Sequence, residues 1–242
     1  MERRHIISGC IVLIAVFVAV GIGLLTKKGK TEEAEATVEL TEEQKEAKKK
    51  IKETYNVSNQ EKIWQELEEK KASQEYTLDH MLVEQNPFGT NTQSLYVYFN
   101  TDEKASVTYT VSVEDSSIND FSRSVYQKEE YQTEHEFQVI GLIPEMENQI
   151  TFFITKEDGS TETRQISVET EGILGTEAVK LEQTVEGEVE ELEEGLYVVL
   201  GNDSEALDFM YYYDNDGVLR GEVPLLGYRS HRLIFDEDSM YY

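Results

Sequence analysis

The sequence of 242 residues has few of the residue types on which binding and catalytic sites commonly depend. Its single cysteine, Cys10, lies inside an apolar run, so the remainder of the chain has neither a disulfide nor a cysteine metal site. Only 22 lysines and arginines stand against 49 acidic residues, which gives a formal net charge of -27. Because nucleic-acid binding requires cations that neutralise phosphates, we expect no nucleic-acid partner, and broad docking on an anionic lipid surface is disfavoured.

Catalytic constellations are also absent from the sequence. None of its four histidines, His5, His80, His135 and His231, has a second histidine, a cysteine or a paired carboxylate at the spacing of metal ligands. There is no glycine-rich phosphate loop and no Ser-His-Asp pattern. The sequence alone therefore predicts no catalytic residue, no metal ligand and no cofactor.

Two local clusters have a structural interpretation beside a functional one. The segment Asp214-Asn215-Asp216-Gly217 shares its first half with calcium loops, but leucines stand where a bidentate glutamate is expected, so we interpret it as a turn. Arg220, Arg229 and Arg232 form the one group of cations in an acidic C-terminal half. They could contact an anion, and ion pairs with neighbouring acids explain them equally well.

What the sequence does contain begins with an uncharged run of twenty residues, Ile6 to Leu25, with basic residues on both sides. Twenty apolar residues in a helix span the hydrocarbon core of a bilayer, so residues 1–30 are predicted to be a single-pass membrane anchor. The alternative is a cleaved signal peptide with Ala19-Val20-Gly21 at the cleavage site. We expect the N-terminus to lie on the cytoplasmic side of the cell membrane and the bulk of the chain to be extracytoplasmic.

Residues 31–75 are predicted to form a charged, solvated helical stalk. Residues 31–71 are rich in helix-forming Glu, Lys, Ala and Gln and contain neither proline nor glycine. Thr41 begins a capping sequence, and a break at Asn56 to Asn59 is followed by a second helix that Ser58 or Asn59 would cap. A short coiled-coil dimer remains open, although no heptad repeat is sustained.

Residues 76–171 carry the pattern of a small antiparallel β-sandwich. Alternating runs at Leu95–Phe99 and Ala105–Val113 predict two strands. A polar excursion from Ser116 to Glu134, predicted to be a long hairpin or a loop, precedes the next strand. Asp158-Gly159 predicts a tight hairpin. The segment Gly141-Leu142-Ile143-Pro144 resembles the corner of fibronectin-III-like sandwiches, without the usual corner tyrosine.

The amino-acid composition changes twice in the remaining residues. Residues 172–194 are dense in glutamate and are predicted to be an acidic linker. Residues 195–242 then contain strand-like runs and a hairpin at Asp208–Val223, about as many strands as one propeller blade has. Because a lone blade leaves its faces and edges exposed, we expect this β structure to be incomplete.

Several of these segments together resemble the bacterial aryl-sulfate sulfotransferase family. Asn86-Pro87-Phe88-Gly89-Thr90 is similar to the opening of the family's N-terminal immunoglobulin-like domain, with Phe88 in place of a tyrosine, and Thr133–Leu142 is similar to its later Thr-x-His and Val-x-Gly-Leu segments. Tyr213–Gly221 resembles the first hairpin of the family's β-propeller, with Gly221 in place of a tryptophan. The resemblance covers about residues 76–242. It implies a mainly β protein made of an immunoglobulin-like sandwich and the start of a β-propeller.

The resemblance also implies an activity. The family transfers a sulfuryl group from a phenolic sulfate to a phenol through a transiently sulfated histidine of the propeller. The residues that carry this chemistry belong to later blades, so none is assigned here, and we expect the chain to be the inactive N-terminal portion of such an enzyme. A homodimer through the sandwich is compatible with the family. The alternative function is that of a non-enzymatic, surface-anchored binding module on a stalk.

Overall fold

The computed structural model describes residues 40–126, 128–182, 184, 194–200, 207–226, 234–236 and 239–241. The predicted membrane anchor at residues 1–30, the first residues of the predicted stalk, residues 183 and 185–193 of the acidic linker, and His231, Arg229 and Arg232 lie outside this part of the chain. Within it, neither helix is long and apolar enough to cross a membrane. The described residues are mainly β structure with two helices.

The elements follow one another in a simple order along the chain. The helices are α1 (Glu42–Thr54) and α2 (Val57–Ser73). The strands are β1 (Leu82–Gln85), β2 (Ser94–Ser112), β3 (Phe121–Ser124), β4 (Gln132–Ile140), β5 (Glu147–Lys156), β6 (Thr161–Glu169), β7 (Tyr197–Leu200), β8 (Asp208–Tyr213), β9 (Leu219–Leu225), β10 (Ile234–Asp236) and β11 (Ser239–Tyr241).

The long strand β2 organises the first six strands into one antiparallel sheet. Its first half pairs with β1 and β4, and its second half pairs with β3 and β5, which in turn pairs with β6. Two separate strands were predicted here, and this is wrong: residues 100–104 contain no glycine or proline that would turn the chain, so the strand bends through a register shift between Asn100 and Ala105 and continues. The two predicted layers are therefore halves of one curled sheet.

The inner face of this curled sheet forms the main core. The alternation predicted from the sequence is confirmed, because Leu95, Val97 and Phe99 of β2 are fully buried there with Ile150 and Phe152 of β5. The excursion predicted at Ser116–Glu134 as a long hairpin or loop contains β3, which forms a hairpin with β2. It is not polar throughout, because Phe121 of β3 enters the same core.

A tyrosine does occupy the corner where we predicted none. The hydroxyl of Tyr109 accepts a hydrogen bond from the Ile140 amide at 3.0 Å and donates to the Ile140 carbonyl at 3.2 Å. It comes from β2 rather than from the strand expected of a fibronectin-like corner, which is why the local sequence gave no sign of it. At the predicted hairpin, Gly159 has a φ of +83° and its amide donates to the Lys156 carbonyl at 2.9 Å, as expected of a tight turn.

The predicted helices exist, but they are not a solvated stalk. The capping box at Thr41 and Gln44 is confirmed, whereas Asn56, and not Ser58 or Asn59, caps α2. Ala47 and Ile51 of α1 are buried against the C-terminal strands, and Leu67 of α2 is buried against the outer face of β2. These apolar positions are few, but they lie one helical turn apart: Ala47 and Ile51 on α1, and Ile63 and Leu67 on α2. Apolar residues at this spacing share one side of a helix, which is enough to pack it on a sheet.

A cation fixes α2 to the outer face of the sheet. The Lys71 ammonium group lies 2.9 Å from Glu136 of β4 and 2.6 Å from Glu68, and it stands 5.0 Å above the Tyr98 ring. Tyr96 donates its hydroxyl to the other oxygen of Glu136 at 2.7 Å. Burial lowers the pKa of Lys71, but hydrogen bonds to Glu68 and Glu136 outweigh it, so the pKa is raised overall and the lysine stays charged.

The C-terminal strands form a three-stranded antiparallel sheet, β7-β8-β9, and a separate hairpin of β10 and β11. The predicted hairpin at residues 208–223 is confirmed, with Asp214–Gly217 as its turn. The expectation of exposed faces is wrong for β8 in the described part of the chain. Phe209, Tyr211 and Tyr213 are buried against α1, and Met210 on the opposite face is also fully buried.

Candidate functional site at the junction of the two β structures

Arg220 of β9 joins the C-terminal sheet to the curled sheet. Its side chain is only 1% exposed. The guanidinium donates to the Gly141 carbonyl at 3.3 Å and to the Asn119 carbonyl at 2.6 Å, and both acceptors belong to loops of the curled sheet. The Gly141 amide in turn donates to the Arg220 carbonyl at 3.0 Å. Arg220 is therefore held by the fold, and Nη1 and Nη2 already have protein acceptors.

The charge of Arg220 is balanced by Asp214 in the hairpin turn. The Asp214 carboxylate lies 2.6 Å from Nε of Arg220, and its other oxygen accepts the amides of Asp216 and Val218 at 3.0 and 2.9 Å. Both carboxylate oxygens are thus engaged within the protein. The interpretation of Asp214–Gly217 as a turn is confirmed by these contacts. In the part of the chain that the structure describes, no group of three or more acids, histidines or cysteines could hold a metal ion.

An aromatic ring closes the arginine side of the junction. Phe121 is close to two guanidinium groups, with Arg220 at 5.1 Å and Arg123 at 4.6 Å from the ring centre. Gly141, at φ +92°, passes so close to this ring that a Cβ atom would lie 2.3 Å from Cδ1 of Phe121. Glycine is required here twice, by the backbone angle and by the approach of the ring.

Glu222, two residues after Arg220, joins the sheets at a second point. It is fully buried and accepts three hydrogen bonds: from the Leu174 amide at 2.9 Å, the Gly175 amide at 2.7 Å and the Thr92 hydroxyl at 3.1 Å. The Thr92 amide also donates to the Glu222 carbonyl at 3.0 Å. These contacts hold the start of the predicted linker and the loop before β2 against β9. That part of residues 172–194 is accordingly packed and is not a free linker.

A cleft of about 430 Å³ opens beside this second contact. It lies between α1, the loop at residues 86–92 and the segment Glu171–Leu174. The loop is held in unusual backbone angles, with φ +38° at Asn86 and +71° at Gly89, where a Cβ atom would lie 2.3 Å from Oγ1 of Thr54. Glu53 and Lys50 are the charged side chains contributed by α1. The cleft offers hydrogen-bonding groups, and none of the residues that line it is a histidine or a cysteine.

The two histidines within the described residues lie apart from one another and from the junction. His80 is exposed and stacks on Tyr76. His135 is fully buried in β4, with its ring 4.8 Å from the Phe99 ring and Nε2 3.1 Å from the Thr101 hydroxyl, while Nδ1 has no hydrogen-bond partner. Burial lowers the pKa of His135 to about 4, so the imidazole is neutral at pH 7. Its burial and its stacking on Phe99 are those of a core residue.

These elements define an immunoglobulin-like domain, mainly β and fixed to a second sheet by buried polar contacts. Compared with known families, residues 82–171 match the model described as the arylsulfotransferase Ig-like domain. The chain accordingly contains the N-terminal Ig-like domain of the arylsulfotransferase family, as its motifs at Asn86 and Gly141 indicated. No curated protein matches the chain.

Sequence reasoning missed the two residues that define the junction. The sequence predicts Arg220 only as one of three cations that contact an anion or pair with neighbouring acids, and it predicts no role for Glu222. The available signal was weak: an arginine and a glutamate alternate with small or apolar residues inside a strand, at Leu219-Arg220-Gly221-Glu222-Val223. Charged residues are rarely buried unless they are paired, so a sequence pattern alone favours exposure.

Proposed function

We propose that the chain is the membrane-anchored N-terminal portion of an aryl-sulfate sulfotransferase, in which the Ig-like domain holds the first sheet of a catalytic β-propeller. The observation that carries this proposal is the family match over residues 82–171. Sulfuryl transfer from a phenolic sulfate to a phenol, through a sulfated propeller histidine, is the activity that the family suggests for the assembled enzyme. Phenolic sulfates and phenols are then its substrates, and a homodimer is compatible with this role.

The junction gives this role a physical basis. A propeller sheet must be kept at a fixed position beside the accessory domain if the two are to act together. The buried pair of Arg220 and Asp214, and the three donors to Glu222, supply directional contacts that apolar packing alone would not. The uncharged run at residues 6–25 supports the proposed anchor, with the Ig-like domain outside the cytoplasm.

A non-enzymatic, surface-anchored binding module is a second candidate, and one observation favours it. The strand β8 is covered on both faces among the described residues, with Phe209 and Tyr211 packed on α1 and Met210 fully buried on the other face. A sheet that is already covered needs no neighbouring blade to be stable.

Turnover of a chromogenic phenyl sulfate distinguishes the two functions. The chain is tagged in its native host, isolated from membranes, and assayed with a phenol as acceptor, beside residues 1–242 produced alone in another host. We expect turnover by the native material and none by residues 1–242 alone. Inactive native material would favour the binding module. Turnover by residues 1–242 that His231→Ala abolishes would show that the nucleophile lies within this chain.

A further inference from the structure

The outward face of α1 is basic in a protein that is otherwise strongly acidic. Lys45, Lys48, Lys49 and Lys52 follow one another at spacings of i, i+3, i+4 and i+7, which places them on one side of the helix. All four are exposed. The opposite side carries Ala47 and Ile51, whose burial against the C-terminal strands fixes the rotation of the helix. We call these four residues the lysine face.

The charge of the lysine face is only partly neutralised within the protein. Lys45 pairs with Glu42 at 2.6 Å and Lys49 pairs with Glu53 at 3.8 Å, and all four side chains of these pairs are well exposed. Exposed pairs of this kind contribute little and are readily exchanged for another anion. Among the described residues, the ion pairs of α1 involve Lys45 and Lys49, and neither Lys48 nor Lys52 takes part in one. Two exposed cations of the lysine face thus have no acidic partner there, in a chain with a formal charge of -27.

The position of α1 in the chain indicates what could neutralise this surface. Residues 26–41 separate the apolar run ending at Leu25 from the start of α1 at Glu42. Sixteen residues span at most about 55 Å when fully extended, which limits how far α1 can lie from the end of the apolar run. α1 is therefore the first helix of the described residues to follow the proposed anchor, and its exposed side carries the charge that anionic headgroups attract.

We propose that the lysine face docks on the anionic phospholipid headgroups of the membrane that holds the anchor. Docking there would set the orientation of the C-terminal sheet, because α1 is packed on its strands through Ala47 and Ile51. The Ig-like domain would follow, since Arg220 and Glu222 fix it to that sheet. The acidic surfaces elsewhere on the protein are repelled by the same headgroups, so the two effects favour one orientation. This proposal rests on the proposed membrane anchor and is independent of the proposed sulfotransferase activity.

Lysine reactivity tests the proposal on the full chain. The protein is reconstituted into vesicles of phosphatidylcholine alone and of phosphatidylcholine with phosphatidylglycerol, and treated with a water-soluble acetylating reagent; the rate at each lysine is read by mass spectrometry. In the anionic vesicles we expect acetylation of the lysine face to slow about fivefold, the factor expected for a lysine held at an anionic surface. Sodium chloride at about 1 M, which shortens the screening length to about 3 Å, should restore the rates.

The same helix supplies the control. Lys50 is exposed but lies on the flank of α1 beside the cleft, and Lys62 lies on α2. Both should react equally in the two kinds of vesicle. In the variant K45Q/K48Q/K49Q/K52Q, the amides of α1 should exchange with solvent equally in both vesicles, whereas in the unaltered protein they should exchange more slowly in the anionic ones.

Three outcomes would overturn the proposal. Equal acetylation of the lysine face in both kinds of vesicle would show that headgroups do not contact it. Equal slowing at Lys50 would show general shielding without orientation. Equal protection by a soluble acidic polypeptide would assign the surface to a protein partner.

Vesicle flotation tests the membrane anchor separately from the docking of the lysine face. A chain that does not float refutes the anchor and this proposal, whereas one that floats with unprotected lysines refutes this proposal alone.

Discussion

Arg220 and Gly141 bind one another through two hydrogen bonds that run in opposite directions. The guanidinium of Arg220 donates to the Gly141 carbonyl at 3.3 Å, and the Gly141 amide donates to the Arg220 carbonyl at 3.0 Å. One residue belongs to the corner of the Ig-like domain and the other to β9. Gly141 and the side chain of Arg220 are both buried. This contact should therefore contribute strongly to the attachment of the C-terminal sheet.

Arg220→Met should lower the free energy of unfolding by about 3–5 kcal/mol, because it leaves Asp214 and two backbone carbonyls without their cationic donor. The matched control is Arg123→Met, because the Arg123 guanidinium contacts the same Phe121 ring but makes its hydrogen bond to Ser122 at an exposed position. We expect that variant to change stability by no more than about 0.5 kcal/mol. Urea denaturation measures both, and equal effects would contradict a special role for Arg220.

Gly141→Ala should be much more costly than Gly159→Ala. Both glycines have positive φ, at +92° and +83°, so each substitution carries a backbone cost of about 1–2 kcal/mol. At Gly159 a Cβ atom would meet nothing within 4 Å, whereas at Gly141 it would overlap the Phe121 ring and add about 1–3 kcal/mol. Thermal or urea unfolding of the two variants gives the difference directly, and similar losses would argue against the close approach of Phe121.

Lys71→Met tests whether α2 is part of the fold. The substitution removes the cation shared by Glu68 and Glu136, and we expect a loss of about 1–2 kcal/mol, smaller than for a fully buried pair because Glu136 retains some contact with water. Lys62→Met is the control, since Lys62 pairs with Glu66 on the exposed side of the same helix. A solvated stalk would show the same small change, within about 0.5 kcal/mol, for both substitutions.

Acid should destabilise the Ig-like domain through His135. Its pKa is lowered to about 4 by burial, below the ordinary value of 6.5, so the unfolded state binds the proton more tightly than the folded state. The stability associated with neutral His135 is complete above about pH 6.5 and is lost as the pH falls towards 4. Between pH 7 and pH 5 this amounts to about 2 kcal/mol. His135→Gln should remove that part of the pH dependence in urea titrations, and an unchanged slope would contradict the assignment.

The sequence predicted best where one local pattern was enough. Alternating apolar residues on β2 and β5, the capping box at Thr41 and the turn at Asp214 each depend on residues that are close in sequence, and all were confirmed. The family was also recognisable, because its motifs at Asn86 and Gly141 are each local in sequence and follow one another in the order that the family has.

What could not be predicted depends on residues far apart in the chain. Tyr109 and Ile140, or Arg220 and Asn119, meet only after the sheet has curled and the hairpin has docked. The helices looked solvated because Ala47, Ile51 and Leu67 are few, although each is buried. A buried charge such as Glu222 has no local signature, since its three donors come from Thr92 and from Leu174 and Gly175.

The Ig-like domain holds the C-terminal sheet through the contacts of Arg220 and Glu222. Hydrogen exchange of the backbone amides, read by mass spectrometry in the unaltered protein and in Arg220→Met, measures how far the sheet depends on Arg220. We predict that residues 208–225 lose protection in the variant, while residues 150–154 in the core of the Ig-like domain keep theirs. Unchanged protection of residues 208–225 in Arg220→Met would show that the sheet is held without the Arg220 contacts.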